Sequence, residues 1–437
     1  MKKLVIYIIC ISFLIFSSCN IAEQIKMNTT AYPLDIEHSE SNYANNVLSY
    51  KNSNQTVLRI YSAPIENSKN TITKAKDEYV ANGEFTHKKM PNVWSNNTPI
   101  AITHDSNFVE IIPIDLIKYE SELTSTTNIF EQERNTVIYK NVFGNGINLT
   151  FSPTTFGVNM EIVFSEPPEQ NTYRFKLKLP ELIPNTNSLD YISFKTTSKE
   201  ENVKTVIETP LLSDKTGKWS YDNFVQLIEK DSGTGIYAIE YSIDEDFINQ
   251  DSTQYPIKVN HSINLYMQTQ PDTSIYENTK NEAEHYLSPY MLLGNNTIKG
   301  EGWAFIRYET LEQLDIPIDK IVSAKYVFRN LFNLPKKIKL GAYAVTDEWC
   351  SINQRWFNRP TYDNIPVSQT DVHKSGDYSL DVTPLLYEIL KNKGIDNSKY
   401  SIENSFFIKS DTLDSNLIIP SGDGGLFSPY LEIILKE

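Results

Sequence analysis

Apolar and polar residues alternate along most of this chain. Tyr173-Arg174-Phe175-Lys176-Leu177-Lys178-Leu179 alternates without a break, and Tyr237, Ile239, Tyr241 and Ile243 interleave with Ala238, Glu240, Ser242 and Asp244. Val158, Met160, Ile162 and Phe164 form another such row, and Val57 to Tyr61 a shorter one. A period of two sends one set of side chains to a buried face and the other toward solvent, which is the pattern of an antiparallel strand. Gly144-Asn145-Gly146, Pro167-Pro168 and Asp231 to Gly235 punctuate these rows as hairpin turns do. The same period returns after about residue 264, in Ser323–Arg329 and Lys337–Ala344, and Leu431 to Leu435 reads as a closing strand. Two segments depart from it. Thr71–Ala81 is expected to form one amphipathic helix, and Pro384–Lys393 a second, with Leu385, Leu386, Ile389 and Leu390 on its buried face. Thr383 is placed to cap that second helix, Pro384 to open it and Gly394 to stop it. The pattern therefore predicts an all-β fold: two β-sandwich domains in tandem, over 51–262 and 263–437, with one short helix in the second.

The first residues follow a different logic. Met1-Lys2-Lys3 is positive, Leu4 to Phe16 is almost wholly apolar, and Ser17-Ser18-Cys19 closes the run. That is the layout of a secretory signal peptide, and its end resembles the lipobox of bacterial lipoproteins. The resemblance implies cleavage after Ser18, so that 1–18 is the signal and Cys19 the lipidated residue. Each buried methylene contributes about 0.8 kcal/mol, so two or three acyl chains on one cysteine hold a protein at a membrane surface. Residues 19–50 are polar and rich in Asn, Ser and Thr, and are expected to be a tether. The expected address is thus the bacterial cell surface, exported and membrane-anchored through Cys19.

Composition narrows the chemistry. Of three cysteines, Cys10 lies in the signal and Cys19 carries the lipid, which leaves Cys350 no partner for a disulfide within the chain. Stability must come from core burial, and Cys350 is expected as a small buried apolar residue. A net charge of −15 opposes phosphate binding, so no nucleic-acid partner is expected. Acidic side chains are plentiful, as in Asp244-Glu245-Asp246 and Asp411 to Asp414, but adjacent acids on a strand point to opposite faces and make poor catalytic pairs. No zinc-protease, nucleophile-elbow, Walker or Cys-x-x-Cys motif is present, and the six histidines are dispersed. Ser421 to Gly425 precedes a strand, which favours a tight turn over a phosphate cradle. The chain is read as having no enzymatic activity.

The last 170 or so residues carry a recurrent set of landmarks. Pro271-Asp272-Thr273-Ser274-Ile275 opens it, followed by Trp303-Ala304-Phe305-Ile306-Arg307-Tyr308 and Ile321 to Tyr326. Glu348-Trp349 and Arg355-Trp356-Phe357-Asn358-Arg359-Pro360 come next, then Asp381 to Leu386, Ser405 to Ser410 and Pro429 to Ile433. In this order they resemble the DNRLRE domain, a disaggregatase-related, carbohydrate-binding-module-like family. Tyr290 to Gly294 departs from the family's usual strand start. The preceding segment resembles, more loosely, the β-rich part of wall-associated and Rhs-like bacterial surface proteins, through Tyr139 to Phe143, Gly217 to Ser220 and Tyr255 to Val259.

The resemblance implies a jelly roll for 263–437 and a role in surface glycan binding or adhesion. It also places Trp349 and Trp356 in the framework. Sugar rings stack on exposed aromatic faces, and Trp303, Tyr362 and Tyr378 are the candidate ligand-binding residues. No cofactor is expected. A structural calcium ion is the one exception left open, because jelly-roll modules hold it through oxygen ligands, and Asp272, Asp377 and Asp381 are the candidate donors. The leading expectation is a non-catalytic polysaccharide-binding or adhesive protein. Its rivals are a structural surface protein with a protein partner, and a polysaccharide-degrading enzyme with an unrecognised site.

Overall fold

The computed structural model describes residues 46–437 apart from short internal segments, of which 62–70 and 393–405 are the longest. The signal peptide, Cys19, most of the tether, and Cys350 and Gly394 lie outside the described residues. Strands dominate the remainder and pair antiparallel, as the alternation requires. The rows Val158–Phe164, Tyr173–Leu179 and Tyr237–Ile243 each bury their apolar set in one core.

That core lies between an eight-stranded and an eleven-stranded sheet and draws on residues from Ile72 to Leu265. A second core, on which the helix Thr383–Lys391 also packs, lies between a five-stranded and a seven-stranded sheet. Where the two halves meet, Leu211 and Tyr221 pack with Tyr276, Tyr290, Leu292, Phe332 and Ile418. Lys299 is buried at this junction, its ammonium 5.0 Å from the Tyr221 ring centre and 4.8 Å from that of Tyr276. Burial pulls its pKa down to about 7, because the charged form has lost its water.

Several boundaries differ from those expected. Thr71–Ala81 is two strands, Ile72–Lys74 and Glu78–Asn82, joined by a tight turn in which the Ala75 amide donates to the Glu78 carbonyl. The segment is rich in β-branched and aromatic residues, and the neighbouring strand His87–Pro91 gives it a hydrogen-bonding edge that an isolated reading could not supply. The tether does not extend to residue 50, nor does the first domain begin at 51. Val47–Asn52 and Gln55–Tyr61 form a hairpin, and Gln55–Tyr61 pairs along its length with the final strand, Tyr430–Lys436. Val47, Leu58 and Ile60 bury themselves in the second core, which fixes the hairpin there. The cut at 262/263 falls within one continuous strand, Ile257–Leu265. Thr383 is the first residue of its helix, and Val382 occupies the capping position.

Candidate functional site

The seven-stranded sheet turns one face to the second core and the other outward. Strand register lines up Tyr343, Phe407 and Phe305 across three neighbouring strands, and Gly341, Lys409 and Trp303 across the same strands two residues along. Alternation then places all six positions on the outward face, while Ala304, Ile306, Ala342 and Ile408 enter the core. The result is an aromatic cluster, in which Phe305, Phe407, Tyr343 and Trp303 are all buried. Tyr343 stacks on Phe407 at 5.2 Å, and Phe407 on Trp303 at 5.0 Å. Gly341 has a structural role here: a Cβ at that position would lie 2.7 Å from Tyr343 Cε2 and 3.1 Å from Asp411 Oδ2. Its missing side chain lets the Tyr343 ring and the Asp411 carboxylate fold over the strand.

A loop between the strands Ile338–Ala344 and Ser368–Val372 crosses this surface. It is pinned to the strand edge by the Val345–Tyr362 bridge and by amide bonds from Asp363 to Ala344 and from Val367 to Ala342. It brings Trp356 to 5.1 Å and Tyr362 to 5.4 Å from Trp303. An Asn358 carboxamide accepting from the Arg355 amide shapes its tip. Phe357 and Ile365 stand out from the loop, 61% and 81% exposed.

Two cations cover the rings. The Arg359 guanidinium sits 5.3 Å from the Trp303 centre and 4.9 Å from that of Trp356, and donates to the Trp356 carbonyl. The Lys409 ammonium lies 5.0 Å from Tyr343, 5.3 Å from Trp303 and 6.0 Å from Tyr362. Such contacts are worth about 0.5–2 kcal/mol each, more as water is excluded. Beside them, the exposed Asp411 carboxylate accepts from the Tyr343 hydroxyl at 2.6 Å and from Gln369 Nε2 at 2.6 Å. Burial and the neighbouring Asp411 charge together push the Tyr343 phenol above its usual range, so it remains a donor. Trp303 Nε1 donates to Glu301 at 2.8 Å.

The structure brings together two of the three expected ligand residues. Trp303 and Tyr362 share this surface, but Trp303 is only 4% exposed, covered by Trp356, Arg359 and Lys409. It is a floor rather than an open stacking face. Tyr378 lies in the other sheet, stacked on Phe328, with its hydroxyl bound to the backbone of His373 and Lys374. Trp349 is buried against Phe305, while Trp356 is only half-buried.

The three candidate calcium donors do not converge. Asp272 is buried, its Oδ2 accepting from the Gly422 amide at 2.6 Å. Asp377 pairs with Arg329 at 2.9 Å, and Asp381 accepts from Thr383. Asp377 and Asp381 stand four residues, about 13 Å, apart along one strand, far beyond a shared shell of oxygen ligands. Among the described residues no group of three or more His, Cys, Asp or Glu side chains is gathered for a metal ion.

Gln369 carries no signal in the sequence; Arg359 and Lys409 lie within the landmarks Arg355–Pro360 and Ser405–Ser410, and Asp411 stands only among the plentiful acids, so none of them is marked there as part of a site. No family model matches this chain, and no curated protein does.

Proposed function

We propose that this is a non-catalytic glycan-binding or adhesive protein, exported and held at the bacterial cell surface through a lipid on Cys19, with a DNRLRE-like jelly-roll domain carrying the binding surface. The observation that carries this reading is the aromatic cluster on the outward face of the seven-stranded sheet, with Trp303 and Tyr343 as its buried floor and Tyr362 and Trp356 above them, rimmed by Lys409, Asp411 and Gln369. Rings supply apolar faces for sugar C–H groups, and a rim of fixed donors and acceptors orients hydroxyls. The half-buried rings of Trp356 and Tyr362 are the parts a ligand can reach.

The test is affinity electrophoresis of the full chain through gels holding soluble polysaccharides. Retardation by at least one of them, lost in Trp356→Ala, is the expected result. Uniform migration through every gel would refute the reading. The exposed Phe357 and Ile365 favour one alternative, a surface protein whose partner is another protein. In that case Phe357→Ser, and not the glycan, alters adhesion.

A further inference from the structure

Lys409 and Asp411 flank the same ring yet do not pair with each other. The Lys409 ammonium touches three aromatic rings and makes no hydrogen bond or ion pair among the described residues. An ammonium has three donors, and here the rings hold the charge while leaving its N–H bonds unspent. The Asp411 carboxylate is fixed on two sides, by Tyr343 and by Gln369. Two oxygens offer about four lone-pair sites, so acceptor capacity remains on the exposed side. A fixed donor and a fixed acceptor, both anchored to Tyr343 and each with bonding capacity to spare, form a site of opposite polarities.

We propose that Lys409 and Asp411 are the specificity-determining pair of this surface, reading two neighbouring hydroxyls of an uncharged sugar ring. One hydroxyl donates to the Asp411 carboxylate and its neighbour accepts from the Lys409 ammonium, while the ring lies beside Tyr362 and Trp356. A vicinal diol offers a donor and an acceptor at adjacent positions, which is the complement of this pair. An acidic ring would bring a carboxylate toward Asp411 on a chain of net charge −15, so a neutral ring is the better match. Gly341 sustains the arrangement, because any side chain there displaces both Tyr343 and Asp411. The proposal rests on the glycan-binding reading.

The experiment measures affinity of the full chain for a β-glucan, a mannan, a xylan and a polygalacturonate. Asp411→Asn, Asp411→Ala, Lys409→Met and Trp356→Ala are compared with wild type. A hydrogen bond to a charged group supports a loss of about tenfold to a hundredfold. That loss is expected for Asp411→Ala and Lys409→Met on a neutral polysaccharide, with unfolding midpoints unchanged. Neutral glycan binding that survives both changes but is lost in Trp356→Ala overturns this pair and leaves the broader reading standing. Preference for polygalacturonate, strengthened by Asp411→Asn, overturns the assignment of a neutral ring. A wild type that binds none of the four removes the glycan reading itself.

Discussion

Asp272 places a carboxyl in the second core, and replacing it with asparagine separates its shape from its charge. The carboxyl is 3% exposed, and burial pushes its pKa from an ordinary 3.8 up to about 7, only partly offset by the bond from the Gly422 amide. Tyr308 and Tyr326 lie close enough for its charge to raise their own pKa values. In the unfolded chain the group ionises near its ordinary value. Between roughly pH 4 and pH 7 the folded state therefore holds the proton that the unfolded state has released, and stability falls as pH rises through that window. A shift of about three units corresponds to about 4 kcal/mol over the whole window. Between about pH 4.5 and about pH 7.5 the loss is about 3 kcal/mol.

Asp272→Asn keeps an oxygen for the Gly422 amide and never ionises, so it should escape this loss. Urea unfolding followed by tryptophan fluorescence, at several pH values, compares the two. The asparagine variant should gain about 2–3 kcal/mol on wild type as pH rises across that range. Glu208 is also buried and raised to about 7, despite bonds from the Ser262 amide and Asn264. It is common to both proteins and cancels in the difference. A gap between them that stays constant with pH, or narrows, would refute the argument.

Other changes test other parts of the structure. Lys299→Met should stabilise near neutral pH by about 1–2 kcal/mol. With a folded pKa of about 7 against an ordinary 10.5, wild type should gain about 3–4 kcal/mol on the variant as pH rises from about 7 toward about 10, closing and reversing that gap, which thermal unfolding at both pH values can follow. Gly302→Ala would place a Cβ 2.3 Å from the Leu292 carbonyl. Because backbone cannot step aside, a loss of about 3 kcal/mol or more in unfolding free energy is expected. Trp349→Ala, which removes a ring 5.4 Å from Phe305, should cost about 3–5 kcal/mol by the same measurement. Cys19→Ala should move the protein from the membrane to the soluble fraction on cell fractionation, and continued retention would refute the lipid assignment.

Long alternating runs were the readable part of this fold. Tyr173–Leu179 and Tyr237–Ile243 carry their burial in their own spacing, so strand identity and inward face followed from local sequence. Register did not. Nothing within Phe406–Ser410 reveals that Lys409 lies opposite both Trp303 and Gly341, yet that pairing assembles the aromatic surface. A shift of one residue would have turned Lys409 into the core and Ile408 outward. The burial of Trp303 escapes local reading for a related reason, because its cover comes from a loop some fifty residues later. Thr71–Ala81 departs from the expected helix for the same kind of reason: short segments take their conformation from the edge they meet.

The hairpin Val47–Tyr61 has a consequence for the order of folding. Arg59 bonds to Glu432 at 3.0 Å across a separation of 373 residues, and its strand is flanked on one side by the last strand of the chain. The second core therefore cannot close until Tyr430–Lys436 has been made, whereas every strand bounding the first, from Ile72 to Leu265, is available much earlier. Loop closure over such a span is slow relative to local pairing. The middle of the polypeptide should mature first, and the emerging hairpin must wait with its apolar face uncovered, which makes it the segment most in need of protection from aggregation.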